Sequence, residues 1–360
     1  MNTNPNTRTY AYIGSYAEAG TPGLYACGYN TETGELTLID QTDILQNPTF
    51  LAIDAPAKRL YAITEEADAT GQRVGAAAAF SIDEESGRFT LLNKAVTVAS
   101  PTCHIALDGT RRHLMVASYR GGMIGLSAVE PDGRVGASSD VRQHAGGSVR
   151  PVQNQPHPHS VFPDPADRYA LVPDLGLDRI LVYKLDLANG KLLPHSEAYL
   201  EPGAGPRHFA YHPSQRYGYV INELDSTVAA FAYDGEAGTL RKLQTVSTLP
   251  DGYEGSSACA DIHISADGRY LYGSNRGHDS IVVYRIDESA GTLTLVEHTS
   301  TRGGHPRNFA LSPDGRFLLA ANRDGNNVVT FARDAETGRL QPTGHELKLS
   351  KPVCVKFLTV

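Results

Sequence analysis

Apolar residues in this chain fall in short runs, alternating or continuous, each cut off by Gly, Pro, Asp or Asn. Nowhere do they follow the spacing of an amphipathic helix, so the chain reads as all-β. The arrangement also repeats. The phrase D-G-R-Y-L-Y, or a relative of it, occurs six times, with its arginine at Arg59, Arg112, Arg168, Arg216, Arg269 and Arg316. Successive arginines are 53, 56, 48, 53 and 47 residues apart. Each stands between two β-prone runs, such as F-A-L-S-P before Gly315 and L-L-A-A-N from Leu318, which makes a hairpin. A second phrase recurs between the first: V-V-Y-R-I-D-E-S-A-G-T-L-T-L-V from Val282 resembles A-F-S-I-D-E-E-S-G-R-F-T-L-L from Ala79. Its glycine falls where a tight turn needs positive φ. One repeat is therefore four antiparallel strands in about 50 residues, the blade of a β-propeller. A β-sandwich with accidental internal similarity is the competing reading.

Six arginines mark six blades, and the two ends supply a seventh. Residues Thr9 to Ile39 carry the later strands of a blade, and K-P-V-C-V-K-F-L from Lys351 matches a first strand such as G-P-R-H-F-A-Y. Joining them closes the ring and removes the exposed sheet edges. The expectation is a single seven-bladed propeller over residues 1–360, with the N- and C-terminal segments paired in one blade.

In such a ring, equivalent positions of successive blades encircle the axis. Counting from the repeat arginine, position minus nine holds Phe50, Cys103, His159, Arg207, Ala260 and Arg307. Minus eight holds Leu51, His104, Ser160, His208, Asp261 and Asn308. Plus six holds Glu65, Ser118, Asp174, Asn222, Asn275 and Asn322, and plus seven Glu66, Tyr119, Leu175, Glu223, Arg276 and Arg323. Antiparallel pairing brings minus nine and plus seven to the same rim. Asn222, Asn275 and Asn322 recur like architecture, and the repeat arginine sits beside a turn. The arginines, His159 and Glu223 differ from blade to blade, and guanidinium groups gathered together call for an anion.

Composition narrows the chemistry. With 32 basic and 40 acidic residues the net charge is −8, against a nucleic-acid partner. No run of about 18 apolar residues exists, so no membrane span is expected. The opening M-N-T-N-P-N-T-R-T-Y lacks the basic and apolar regions of a signal peptide. Cys27, Cys103, Cys259 and Cys354 are far apart and read as free thiols. Together these point to a cytoplasmic protein, with the oligomeric state left open. No G-x-S-x-G elbow occurs, and G-A-G-P-R from Gly203 lacks the lysine of a phosphate loop. His157 and His159 in Q-P-H-P-H-S form no complete metal-ligand set, so no metal or cofactor is expected, and His157 reads as exposed loop. The stretch from Gly136 to Gln155 is longer than the blade spacing needs and reads as a lid or a variable insertion.

The blocks P-H-P-H-S-V-F-P-D-P, V-P-D-L-G-L-D-R-I, G-P-R-H-F-A-Y-H-P, I-N-E-L-D-S-T-V and A-D-I-H-I-S-A-D-G-R-Y-L-Y-G-S-N-R-G-H-D-S-I, followed by G-G-H-P-R-N-F-A-L-S-P-D-G-R, resemble the seven-bladed lactonase family. The resemblance runs from about Tyr10 to the C-terminus. It implies metal-free hydrolysis of a small anionic lactone, foremost 6-phosphogluconolactone, with His159, Arg207, Glu223 and Arg276 as the catalytic set. Arg207 and Arg276 would hold the anion and the developing oxyanion, Glu223 would act as base and His159 as acid, with the last two roles exchangeable. Arg307, Arg323, His104, His208, Asp174 and Asn275 are the further substrate-binding candidates. A muconate-type lactone isomerase needs the same residues, and a non-catalytic binding platform is the third reading.

Overall fold

Hairpins closed by the two recurring phrases build seven four-stranded antiparallel sheets in a computed structural model that describes residues 7–360. The first six residues of the opening segment lie outside the described part. Blades 2 to 7 occupy 51–98, 104–143, 162–199, 206–247, 258–300 and 306–348. Blade 1 is composite: Pro352–Thr359 pairs antiparallel with Thr9–Ser15, followed outward by Leu24–Tyr29 and Leu36–Thr42. The chain is thus a seven-bladed propeller closed by its own two ends. The first strand of each blade lies innermost, against its counterparts in the neighbouring blades. The core sits between blades: Tyr270, Tyr272, Ile281 and Val283 of blade 6 pack on Phe309, Leu318, Ala320 and Phe331 of blade 7.

Contacts between blades explain why both phrases recur. Tyr12, Tyr61, Tyr219 and Tyr272 each donate a hydroxyl hydrogen bond to the outer-turn glycine carbonyl of the next blade: Gly87, Gly133, Gly291 and Gly338, at 2.9–3.0 Å. That glycine has positive φ, and any Cβ on Gly87, Gly238, Gly291 or Gly338 would strike the ring of Tyr10, Tyr169, Tyr217 or Tyr270. Glycine is required there twice over. The repeat arginines reach the same turns, Arg216 to the Glu288 carbonyl at 2.9 Å and Arg316 of blade 7 to the Thr31 carbonyl of blade 1 at 3.1 Å. They are staples between blades. All four cysteines are free thiols.

Candidate active site

The observed register brings the start of each inner strand beside the end of the second strand. Pro206 pairs with Asn222, Ala258 with Arg276 and Pro306 with Asn322. In blades 5, 6 and 7 the register slips just after these pairs, between Pro206 and His208, Cys259 and Ile262, and Pro306 and His-equivalent Asn308. A bulge of this kind inserts an extra residue and re-aims its side chain, and in blades 5 and 7 that residue is arginine, Arg207 and Arg307. Blade 2 departs from the sequence alignment by one residue. Tyr61 pairs with Ala52 as Tyr219 pairs with Ala210, so Lys58 holds the repeat position and Arg59 stands where Tyr217 stands. Thr49 and Glu65 therefore occupy the rim, and Phe50 drops into the channel against His104 and His208.

A cavity of about 620 Å³ opens at this mouth, walled by Tyr16, Thr49, Glu65, Tyr119, His159, Glu223 and Arg307, among others. Behind Glu223 lie two buried arginines. Its Oε2 accepts from Arg207 Nε at 2.9 Å and from Arg276 at 3.0 Å. Arg207 also donates to the Ala260 carbonyl, and Arg276 to the carbonyls of Cys259 at 2.5 Å and Ala258 at 3.2 Å. Arg307 forms no ion pair among the described residues and lies 5.6 Å from the Tyr16 ring centre. Cations outnumber the carboxylate, and their titration reflects it. Burial pushes Arg207 down to about 9, helped by Arg307 and Arg276. Burial alone would raise Glu223, but Arg276, Arg207 and Arg307 outweigh it and hold the carboxyl below its ordinary value.

His159 is buried at the same wall, and its Nδ1 has no hydrogen-bond partner. Burial, then the charge of Arg207, keeps it neutral far below the ordinary imidazole range. Its ring meets Tyr119 edge-on at 5.5 Å. Deeper in the channel, Arg207 approaches His208 Nε2 at 3.2 Å, and His208 Nδ1 lies 2.7 Å from Asp261. Asp261 also takes His263 at 2.9 Å and the Asn308 amide. His208 is pushed down to about 4 by burial and Arg207. A neutral His208 that donates from Nδ1 to Asp261 leaves Nε2 free to accept from Arg207. His104 meets it edge-on at 5.6 Å, likewise held neutral by burial and by His208.

The structure gathers His159, Arg207, Glu223, Arg276 and Arg307 at one mouth, with His104 and His208 beneath, and sets the other candidates elsewhere. Asp174 is fully buried: its Oδ1 accepts the amides of His157, Gly176 and Leu177, and its Oδ2 meets His144 Nδ1 at 2.6 Å. No acceptor position remains for a substrate. Asn275 is spent on the Thr248 carbonyl at 2.8 Å and on Ser280, as the recurrence of Asn at this position suggested. Arg323 sits at the outer rim, bidentate to Asp324 at 2.7 and 3.0 Å. His157 is buried rather than exposed, stacked 4.1 Å from Tyr119 with Nδ1 bonded to the Tyr119 carbonyl. The long stretch is no free lid either. Val135–Gln143 is the outer strand of blade 3, and the segment after it is tied down by His144 to Asp174 and by Ser148 and Gln153 to Asp178. Among the wall residues, the sequence alignment missed Tyr16 and Thr49 and set Glu65 one position away from the rim. Tyr16 escaped because blade 1 has no repeat arginine, and the other two because two basic residues adjoin at Lys58 and Arg59.

A family model described as lactonase, 7-bladed beta-propeller, matches residues 10–357. A 6-phosphogluconolactonase of Bacillus subtilis is 38% identical over 352 residues, covering 98% of this chain and 99% of its own. One from Formosa agariphila is 36% identical over 309 residues, covering 83% and 85%. Among solved structures, a periplasmic gluconolactonase of Pseudomonas aeruginosa superposes with a TM-score of 0.91 at 31% identity, covering 98% of this chain and 99% of that one.

Proposed function

The chain belongs to the seven-bladed β-propeller lactonase family, and from that membership we propose that it hydrolyses an anionic sugar lactone, foremost 6-phosphogluconolactone. One observation carries the reading: an uncharged, unbonded imidazole, His159, shares a cavity wall with arginines in excess of their carboxylate. The two relatives named 6-phosphogluconolactonase support the substrate class.

In this reading water attacks the lactone carbonyl carbon while the imidazole of His159 takes a proton from it. Arg307, facing the cavity without an ion-pair partner among the described residues, meets the charge growing on the carbonyl oxygen. The ring carbon–oxygen bond then breaks as the imidazolium returns its proton to the departing ring oxygen. The new carboxyl group loses its own proton to solvent. This exchanges the roles expected from sequence. Glu223 is tied to Arg207 and Arg276, whereas the imidazole of His159 has no partner in the protein and can accept and then return a proton. Glu223 holds Arg207 and Arg276 in place and offers a carboxylate edge to the substrate hydroxyls. A second reading, an unphosphorylated gluconolactone, draws on the Pseudomonas relative.

The test is the rate over spontaneous hydrolysis with 6-phosphogluconolactone, glucono-1,5-lactone and a muconolactone. His159→Ala is expected to lower kcat by ~10²-fold or more while the protein stays folded. Acceleration of no lactone would sink the proposal, and turnover of the muconolactone alone would move it to the isomerase reading.

A further inference from the structure

The cavity reaches well beyond the reacting groups. Outward from His159 its wall runs over the Tyr119 ring, 5.5 Å away, to the next residue, Arg120, and to the linker Ser100–Pro101–Thr102 that precedes the inner strand of blade 3. Ser118 pins this linker by bonding the Pro101 carbonyl at 2.8 Å. Five arginines surround the cavity or lie directly behind it, and three are spoken for. Arg207 and Arg276 share Glu223, and Arg73 is held by Glu65 at 3.0 Å and by Glu18 at 3.7 Å. Arg307 belongs with His159 and Glu223 at the reacting end. Arg120 is left over: its side chain has no carboxylate partner among the described residues, yet it lines the cavity. On the wall of the same cavity, the Thr102 hydroxyl is buried without any hydrogen-bond partner. A free guanidinium and a free hydroxyl lining the cavity that also holds the reacting groups fit a second, separate anion.

We propose that Arg120 and Thr102 form the subsite for a phosphomonoester on the substrate, and so set preference for a phosphorylated over an unphosphorylated lactone. The inference rests on the lactonase reading above. A phosphomonoester carries close to two negative charges at neutral pH and three acceptor oxygens. A guanidinium meets two of them side by side, and the threonine hydroxyl donates to a third. The arginines behind Glu223 are engaged with that carboxylate and with backbone carbonyls, and neither is among the residues that line the cavity.

Calorimetry with 6-phosphogluconate and gluconate reads the subsite without requiring turnover. The unaltered protein is expected to bind the phosphorylated acid ~10-fold to ~100-fold more tightly, the range of a charge-assisted hydrogen bond or two. Arg120→Ala should erase most of that ratio, Arg120→Glu should reverse it, and Thr102→Val should reduce it by a smaller factor. In kinetics, Arg120→Ala should cost kcat/KM at least ten-fold more on 6-phosphogluconolactone than on glucono-1,5-lactone. Equal loss on both ligands, or no loss on either, would overturn the subsite. So would a protein that binds and turns over both ligands equally, in which case the lactonase reading stands. If no lactone is accelerated, that reading falls, and the two binding ratios still judge the subsite.

Discussion

Replacing Glu223 by Gln keeps the shape of the side chain and removes its charge, leaving Arg207 and Arg276 facing one another. Their side chains are 2% and 8% exposed, so water cannot take over the screening. Stripping one partner from a buried ion pair costs about 3–5 kcal/mol, most of it the energy of stranding the remaining charge. An unfolding entropy of ~2.1 cal/mol/K per residue gives ~0.76 kcal/mol/K over 360 residues, so Tm should fall by about 4–7 °C. Calorimetric melts at low ionic strength would measure this. Two further results follow if stranded charge is the cause. Formate should raise the Tm of Glu223→Ala, which empties the anion position, more than that of the unaltered protein. Removing one cation as well, in Glu223→Gln/Arg276→Gln, should cost less than the two single losses added together, with a coupling of ~0.5–3 kcal/mol. An unchanged Tm, or strict additivity in the double variant, would refute the argument.

Three other outcomes follow from the same structure. His104, His159 and His208 are held neutral by burial, so below pH 6.5 the unfolded chain binds protons that the folded one refuses. Stability is therefore complete above that pH and falls as pH drops toward the folded values. For His208, shifted from 6.5 to about 4, the loss is about 3 kcal/mol, and urea unfolding at pH 7 and pH 5 showing equal stability would contradict it. Asp261→Ala removes the acceptor shared by His208, His263 and Asn308, and with it the fixed His208 tautomer that receives Arg207; a drop of at least ~2 kcal/mol in stability together with lower kcat is expected, and normal values for both would reject that role. Deleting 352–360 removes the inner strand of blade 1 and exposes the edge at Thr9–Ser15; loss of a cooperative melt is expected, and an unchanged Tm would show that the ring does not depend on this closure.

The fold was legible because each blade repeats the whole solution to one packing problem. The tyrosine of one phrase meets the turn glycine of the other across the blade boundary and the arginine meets another carbonyl of the same turn, so neither phrase can drift without the other. Even the composite blade follows, since Arg316 finds its turn at Thr31 on the far side of the closure. The single-residue offset in blade 2 was hidden for a local reason. Lys58 and Arg59 are both basic and adjacent, and the pairing of Tyr61 with Ala52 decides which of them holds the repeat position.

Departure from the repeat located the mouth but could not sort its residues. Asp174 and Glu223 both break the pattern of their rings, and both are carboxylates placed at the same rim by the same register. What separates them is where their acceptor positions go. Asp174 gives Oδ1 to three backbone amides and Oδ2 to His144, which fastens the segment after blade 3 and leaves nothing for a ligand. Glu223 meets two guanidinium groups through Oε2, yet still forms part of the cavity wall. The donors to Asp174 are backbone amides and a histidine from a segment with no repeat counterpart, so no spacing rule could have announced them. Hydrogen-bond accounting in three dimensions is therefore what separates the two: the first carboxylate is consumed by architecture, and the second faces the proposed site.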